Sequence, residues 1–234
     1  MTNAHEIAEA LPDFKKADAL LDAYLRERAK TLGKFRPENY FNNTKARFIN
    51  VKTANIRDVS KALCKKKNEP YFREFADFLW NSGVFEKMSI AAEAYAYCDL
   101  SFEDFSEIVK NIDNWAHCDS FCARVSGPYF QNQPTKIPEL MRFAKSRNPW
   151  ERRFACVSLI SILRDKSANH VDALRILDIL VPDKDRKIVG AAVDWMMREY
   201  VKKNYDEGFA FMKKWAKKPA TRTFIGCSCE RGTS

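Results

Sequence analysis

Residues 148–182, NPWERRFACVSLISILRDKSANHVDALRILDILVP, decide the fold class. They read as two helical segments, NPWERRFACVSLISILRD and HVDALRILDILV, parted by a short break. Pro149 stands at a first-turn position, where a missing N–H costs nothing.

Working outward, the same pattern continues. IPELMRFAKS precedes this stretch, and after Pro182 come DRKIVGAAVDWMMREYVKKN and YDEGFAFMKKWAKK. The first half reads likewise. Residues 15–33, with Phe14 just before them, carry Ala17, Leu21, Tyr24 and Leu25 at helical spacing and end near Gly33. A polar stretch, KFRPENYFNNTKARFINVKT, leads into IRDVSKALCKKK. PYFREFADFLWNSG follows, with Pro70 at a first-turn position and Gly83 closing the segment. In VFEKMSIAAEAYAYCDL, Ala91, Ala92, Ala94 and Ala96 suit close helix packing, and Ser101 with Asp104 makes a capping-box-like start to SFEDFSEIVKNI.

Helices of about a dozen residues, joined by loops of roughly 3–6, are what helix pairs stacked into a solenoid require. No strict period is present, so the repeats are degenerate, HEAT-like in length rather than in motif. The expectation is an all-α chain: residues 1–234 as a single domain, a curved α-solenoid of degenerate HEAT-like helical repeats presenting a concave groove.

Composition agrees. With 46% hydrophobic and 13% aromatic residues, the chain is not disordered. Its 7 Gly and 9 Pro are too few for the turn-rich connections of a sandwich or barrel. The N-terminus lacks an apolar core of signal-peptide type, and no later run reaches about 18 uncharged apolar residues. The expectation is a cytoplasmic protein without a membrane partner, and monomeric.

Seven cysteines, an odd number lying mostly in helical apolar patterns, are unlike a disulfide framework. His117, Cys118 and Cys122 invite a zinc reading, but Cys227 and Cys229 have one intervening residue rather than two to four. Buried thiols fit better than a metal site. Neither a metal nor an organic cofactor is expected. The formal net charge of +9 favours nucleic acid or an acidic membrane surface without selecting one.

The chemistry-bearing feature is Trp115 with Asp119 in NIDNWAHCDSFCARV. Four residues along a helix return a side chain to nearly the same face, so an indole and a carboxylate stand side by side. A lone acid beside an aromatic in a basic protein suits chemistry on a polyanion that bears a local positive charge.

Three helical segments, NWAHCDS (114–120), NPWERRFA (148–155) and AAVDWMMREY (191–200), each join an aromatic or basic group to small residues. In this order and spacing they resemble the DNA alkylation repair family, the HEAT-repeat alkylpurine DNA glycosylases. The resemblance runs over roughly residues 15–220 and is best from 110 to 205. It implies Asp119 as catalytic carboxylate, Trp115 and Trp195 as aromatic walls, and Arg153 as a backbone-phosphate contact. Arg152 is adjacent but points about 100° away on a helix. The family also places an aromatic of an early helix near the lesion, and Tyr40 or Phe41 falls near that place. There the segment is polar, and an Asn stands where a glycine is usual. Further phosphate contacts would come from Lys52, Arg57, Arg124, Arg147, Arg152 and Lys187.

The chemistry is coherent apart from the family. A purine alkylated at N3 or N7 is cationic and leaves without prior protonation, while oxocarbenium charge develops on the deoxyribose. A carboxylate about 4 Å from that charge is worth roughly 4 kcal/mol at an effective dielectric of 20, about a thousandfold in rate. The same carboxylate could orient the attacking water. Indole faces attract a cationic nucleotide by about 0.5–2 kcal/mol. The resemblance further implies that the base need not be flipped into a deep pocket, unlike most base-acting enzymes. The expected partner is alkylated duplex DNA.

Each residue alone has a plainer reading. Trp115 and Trp195 lie in apolar stripes and read singly as core. Asp119 alone reads as an exposed helix acid or a partner of Arg124, and the 152–153 arginine pair as a solvated face or an intrahelical ion pair. A non-catalytic HEAT-like scaffold binding nucleic acid or protein is the alternative function. A family member specialised to bulky or crosslinked adducts is a third.

Overall fold

The computed structural model describes residues 2–30, 36–166 and 168–216. Among these the protein is all-α, and the only β feature is an isolated parallel bridge between Arg47 and Val84. Gly33, Cys227 and Cys229 lie outside the described residues. The chain divides into two compact units, 1–124 and 125–234.

The first unit holds α1 (Ala4–Glu9), α2 (Phe14–Glu27), α3 (Pro37–Tyr40), α4 (Thr53–Cys64), α5 (Phe72–Trp80), α6 (Phe85–Tyr95), α7 (Phe102–Lys110) and α8 (Trp115–Phe121). Here α6 is the central helix, packed against α4, α5 and α8. Its Ala91, Ala92 and Ala94 are buried, small enough to admit neighbouring backbones, whereas Ala96 is the exposed C-cap. Ser101 and Asp104 complete the capping box that starts α7. Pro70 lies two residues before α5 rather than in its first turn, because Tyr71 occupies the N-cap. The helix read over 15–33 stops at Glu27, with Arg28 as its C-cap.

Between α3 and α4 the chain forms a strap, residues 41–52, with no helix of its own. Three asparagines in it, Asn42, Asn43 and Asn50, adopt left-handed φ of 64°, 60° and 67°. Asparagine is the residue after glycine that best tolerates this region, so the Asn-rich composition answers the backbone here. The strap is anchored along its length. Arg47 N donates to Gly83 O at 2.8 Å and Phe85 N to Arg47 O at 2.9 Å, Gly83 itself sitting at φ 66°. The buried Glu86 carboxylate accepts from the N–H groups of Ile49 (3.0 Å) and Asn50 (2.7 Å).

The second unit holds α9 (Gly127–Asn132), α10 (Met141–Ala144), α11 (Pro149–Ser158), α12 (Ile160–Leu163), α13 (Val171–Leu180), α14 (Ala191–Lys203) and α15 (Tyr205–Ala216). Pro149 occupies the first turn of α11, capped by Asn148, as its sequence position implies. The single helix read over 148–165 is divided at Leu159 into α11 and α12. Residues 186–190, read as the start of the long DRKIVG helix, form a π-helical turn before α14. Here α11 packs on α10, α13 and α14, and α15 packs on α14. Gly208 lets that last pair approach closely: a Cβ there would lie 2.9 Å from a methyl of Val201.

Candidate active site

Trp115 opens α8 and Asp119 lies one turn later on it, both half-buried. The start of α8 is fixed by Asn114, a fully buried N-cap whose side-chain oxygen accepts from His117 N at 2.9 Å. The Asn114 amide N–H donates in turn to His117 Nδ1 at 2.9 Å. His117 Nε2 then carries the proton and reaches Phe85 O at 3.0 Å and Ser89 Oγ at 3.1 Å, so the ring is the neutral Nε2–H tautomer. Burial drives its pKa down to about 4. The imidazole stacks on Phe85 with centroids 4.4 Å apart. These contacts lock the turn that carries the Trp–Asp pair.

The indole of Trp115 is gripped by the polar early segment. Its Nε1–H donates to Tyr40 O at 3.2 Å. The Tyr40 ring meets it edge-on at 5.5 Å, and the Phe41 ring lies 5.2 Å away at 37°. Phe41 continues into Phe85 (4.8 Å) and Phe48 (5.6 Å). Such aromatic pairs contribute about 0.5–1.5 kcal/mol each beyond burial. The structure thus brings Tyr40, Phe41 and Trp115 together, with Tyr40 58% exposed at the outer edge of the cluster. The carboxylate of Asp113 secures the same segment: Thr44 Oγ1 donates to its Oδ1 at 2.5 Å and Lys45 N to its Oδ2 at 2.6 Å.

Of the basic candidates in this unit, Lys52 is exposed at the N-cap of α4 and Arg57 is exposed on that helix. Arg124 is paired with Glu93, its Nε 2.8 Å from the carboxylate.

In the second unit Trp195 is half-buried on α14, beside the intrahelical ion pair of Asp194 and Arg198. Arg153 is buried, and its Nη1 donates to Ile188 O at 2.8 Å, tying α11 to the π-helical turn that precedes α14. Arg152 forms a two-point ion pair with Asp183 (2.6 and 3.2 Å) and donates to the carbonyls of Ser146 and Arg147. Arg147 and Lys187 are exposed. Both members of the arginine pair therefore hold elements together, a role that neither the solvated-face nor the intrahelical reading anticipated.

Cys118, Cys122 and Cys156 are buried. Burial also pushes the half-buried Cys64 and Cys98 thiols up to about 11, so neither is a nucleophile at neutral pH. Among the described residues no group of three or more His, Cys, Asp or Glu side chains is placed to hold a metal ion, and no helix is long and apolar enough to cross a membrane. Asp113, Asn114, His117 and Glu86 organise the cluster without having been singled out for it. An Asn before an amphipathic helix is a legible N-cap signal; the long-range partners of Asp113 and Glu86 leave none.

An all-helical protein with a half-buried Trp–Asp pair on one helix turn is the class that fold and site define. Residues 21–231 match the family model described as DNA alkylation repair enzyme. The chain belongs to that family of repair enzymes, whose partner is DNA. Among curated proteins nothing matches. A solved structure, the "Predicted DNA alkylation repair enzyme from Enterococcus faecalis", has a similar fold: TM-score 0.69 at 16% identity, covering 85% of this chain and 95% of that one.

Proposed function

We propose that this repair enzyme is a monofunctional DNA glycosylase that releases cationic N3- and N7-alkylated purines from duplex DNA. Asp119 would stabilise the oxocarbenium-like sugar and orient water, and Trp115 would form an aromatic wall beside it. Trp195 would be a second wall and Arg153 a phosphate contact, as the motif resemblance implies. Reading residues 1–234 as one repeat domain belongs to the same proposal, as does action on the lesion without deep base flipping.

The observation that carries this reading is the half-buried Asp119 one helical turn from an indole held by Tyr40 and Phe41. A carboxylate in a partly desolvated setting acts on a developing cation more strongly than in water. No general acid is required, because the alkylated base already carries the positive charge. Of the other basic side chains, Lys52, Arg57, Arg147 and Lys187 are exposed and suited to phosphate contact.

The test is release of 3-methyladenine and 7-methylguanine from methylated duplex, with Asp119→Asn beside the parent. Loss of excision with retained duplex binding supports the glycosylase. A parent protein that binds DNA but releases no base would instead be a scaffold.

A further inference from the structure

We infer that Asp113 is a positioning residue for the reaction, acting through the strap that sets Tyr40 and Phe41 against Trp115; this rests on the glycosylase reading above. Both of its carboxylate oxygens are engaged across the chain. Oδ1 accepts from Thr44 Oγ1 at 2.5 Å and from the neighbouring Asn114 amide at 3.3 Å, while Oδ2 accepts from Lys45 N at 2.6 Å. Thr44 Oγ1 also accepts from Ala46 N at 3.2 Å, so the Asp113 side chain holds Thr44 and Lys45 directly and Ala46 through Thr44. Hydrogen bonds to an ionised acceptor are short and stronger than neutral ones.

The location gives the clamp its consequence. Asp113 lies two residues before Trp115, and its partners lie three residues or more after Phe41. Between them the chain turns through Asn42 and Asn43 at left-handed φ, and Asn43 N closes back on Glu38 O at 2.7 Å. The loop carrying Tyr40 and Phe41 is therefore a closed unit hung from the α8 doorstep at two points. One is the Asp113 clamp; the other is the Trp115 N–H on the Tyr40 carbonyl. If the clamp is lost, residues 44–46 lose their hold on the start of α8, and the Trp115–Tyr40 hydrogen bond is left to share with the Phe41–Phe85 packing and the Arg47 and Glu86 anchors the task of holding the loop. The aromatic rings then leave the indole for part of the time. A misplacement of about 1 Å in a group that orients substrate can cost on the order of a hundredfold in rate.

The alternative is that Asp113 only stabilises the fold. That role lowers the unfolding temperature but leaves the folded fraction fully active. It also adds independently to any defect at Phe41.

The experiment compares single-turnover release of 7-methylguanine from methylated duplex by the parent, Asp113→Ala, Phe41→Ala, the double variant, Thr44→Val and Asp119→Asn. Unfolding temperature and affinity for unmodified duplex are measured for each. Asp113→Ala is expected to slow release at least tenfold, with affinity for unmodified duplex within twofold. The double variant is expected to be no slower than Phe41→Ala, because the two act through one element. Amides of residues 42–48 should lose hydrogen-exchange protection while α6 keeps its own.

Should Asp113→Ala fail to fold, Thr44→Val decides: it removes one clamp bond without touching a charge, and a two- to fivefold loss is expected. A rate equal to the parent's in either folded variant, or independent, multiplicative defects in the double variant, overturns the inference. If Asp119→Asn is as active as the parent, the glycosylase reading of that residue fails. If Asp119→Asn is inactive while Asp113→Ala is not impaired, only the positioning role fails.

Discussion

The indole N–H of Trp115 is bonded to the main-chain carbonyl of Tyr40, 3.2 Å away and 75 positions earlier in the chain. One polar atom on an otherwise apolar ring thus joins the segment between α3 and α4 to the helix that carries Asp119. Trp115→Phe keeps a ring for Tyr40 and Phe41 to pack on but removes the donor. It is expected to lower stability by about 1 kcal/mol, roughly 2–4 °C in a chain of this size. Thermal unfolding followed by circular dichroism checks it; an unchanged midpoint would mean that water replaces the bond without loss.

Glu86 is a buried carboxylate whose two oxygens serve the N–H groups of Ile49 and Asn50. Glu86→Gln keeps the volume but turns an N–H₂ toward one of those donors. Leaving a buried donor unmatched costs about 1–3 kcal/mol. Urea unfolding should show that loss, and strap amides should exchange faster than those of α5. A stable variant with unchanged exchange would contradict the anchoring role.

His117 makes stability depend on pH in a definite direction. Burial depresses its folded pKa to about 4 from an unfolded value of 6.5, so between these limits the unfolded chain binds more protons. Stability therefore rises with pH through this window and falls as pH drops from 6.5 toward 4. A shift of this size corresponds to about 3 kcal/mol. His117→Asn should be less stable at pH 7 but should lose that much less on acidification. Parallel pH dependence of the two proteins would rule out a buried neutral imidazole.

Lys52 and Arg57 are exposed at the start of α4, close in sequence to the strap. If each neutralises one phosphate, replacing either by alanine should reduce the slope of log affinity against log salt by about 0.9. Replacing Arg124, already paired with Glu93, should change the slope less. Titrations of duplex DNA at several salt concentrations measure both. Equal slopes throughout would place the DNA elsewhere.

Much of the helical framework was legible because helix ends carry local signals. The Ser101–Asp104 box, Pro149 in a first turn and Gly83 at a left-handed position are all matters of a few neighbouring residues. Where the reading ran long, a local break overrode continuous apolar spacing: Leu159 splits 148–165, and a π-helical turn precedes Ala191. The Trp115–Asp119 pair was legible for the same reason, being one helical turn. Its setting was not. Tyr40 and Phe41 sit in a polar stretch whose order comes from Asp113 and Glu86, partners tens of residues away. Arg152 and Arg153 could not be told from solvated charges by spacing alone. Their engagement depends on Asp183 and Ile188, which only the fold brings near.

The central claim is that the Asp119 carboxylate stabilises a sugar cation as an alkylated purine departs. Its most direct measurement is the single-turnover rate of 7-methylguanine release from methylated duplex by the parent and by Asp119→Asn, with duplex affinity determined in parallel. The account predicts a loss of about a thousandfold in rate, from roughly 4 kcal/mol of electrostatic stabilisation, at little change in affinity. Release by Asp119→Asn at the parent rate would contradict it.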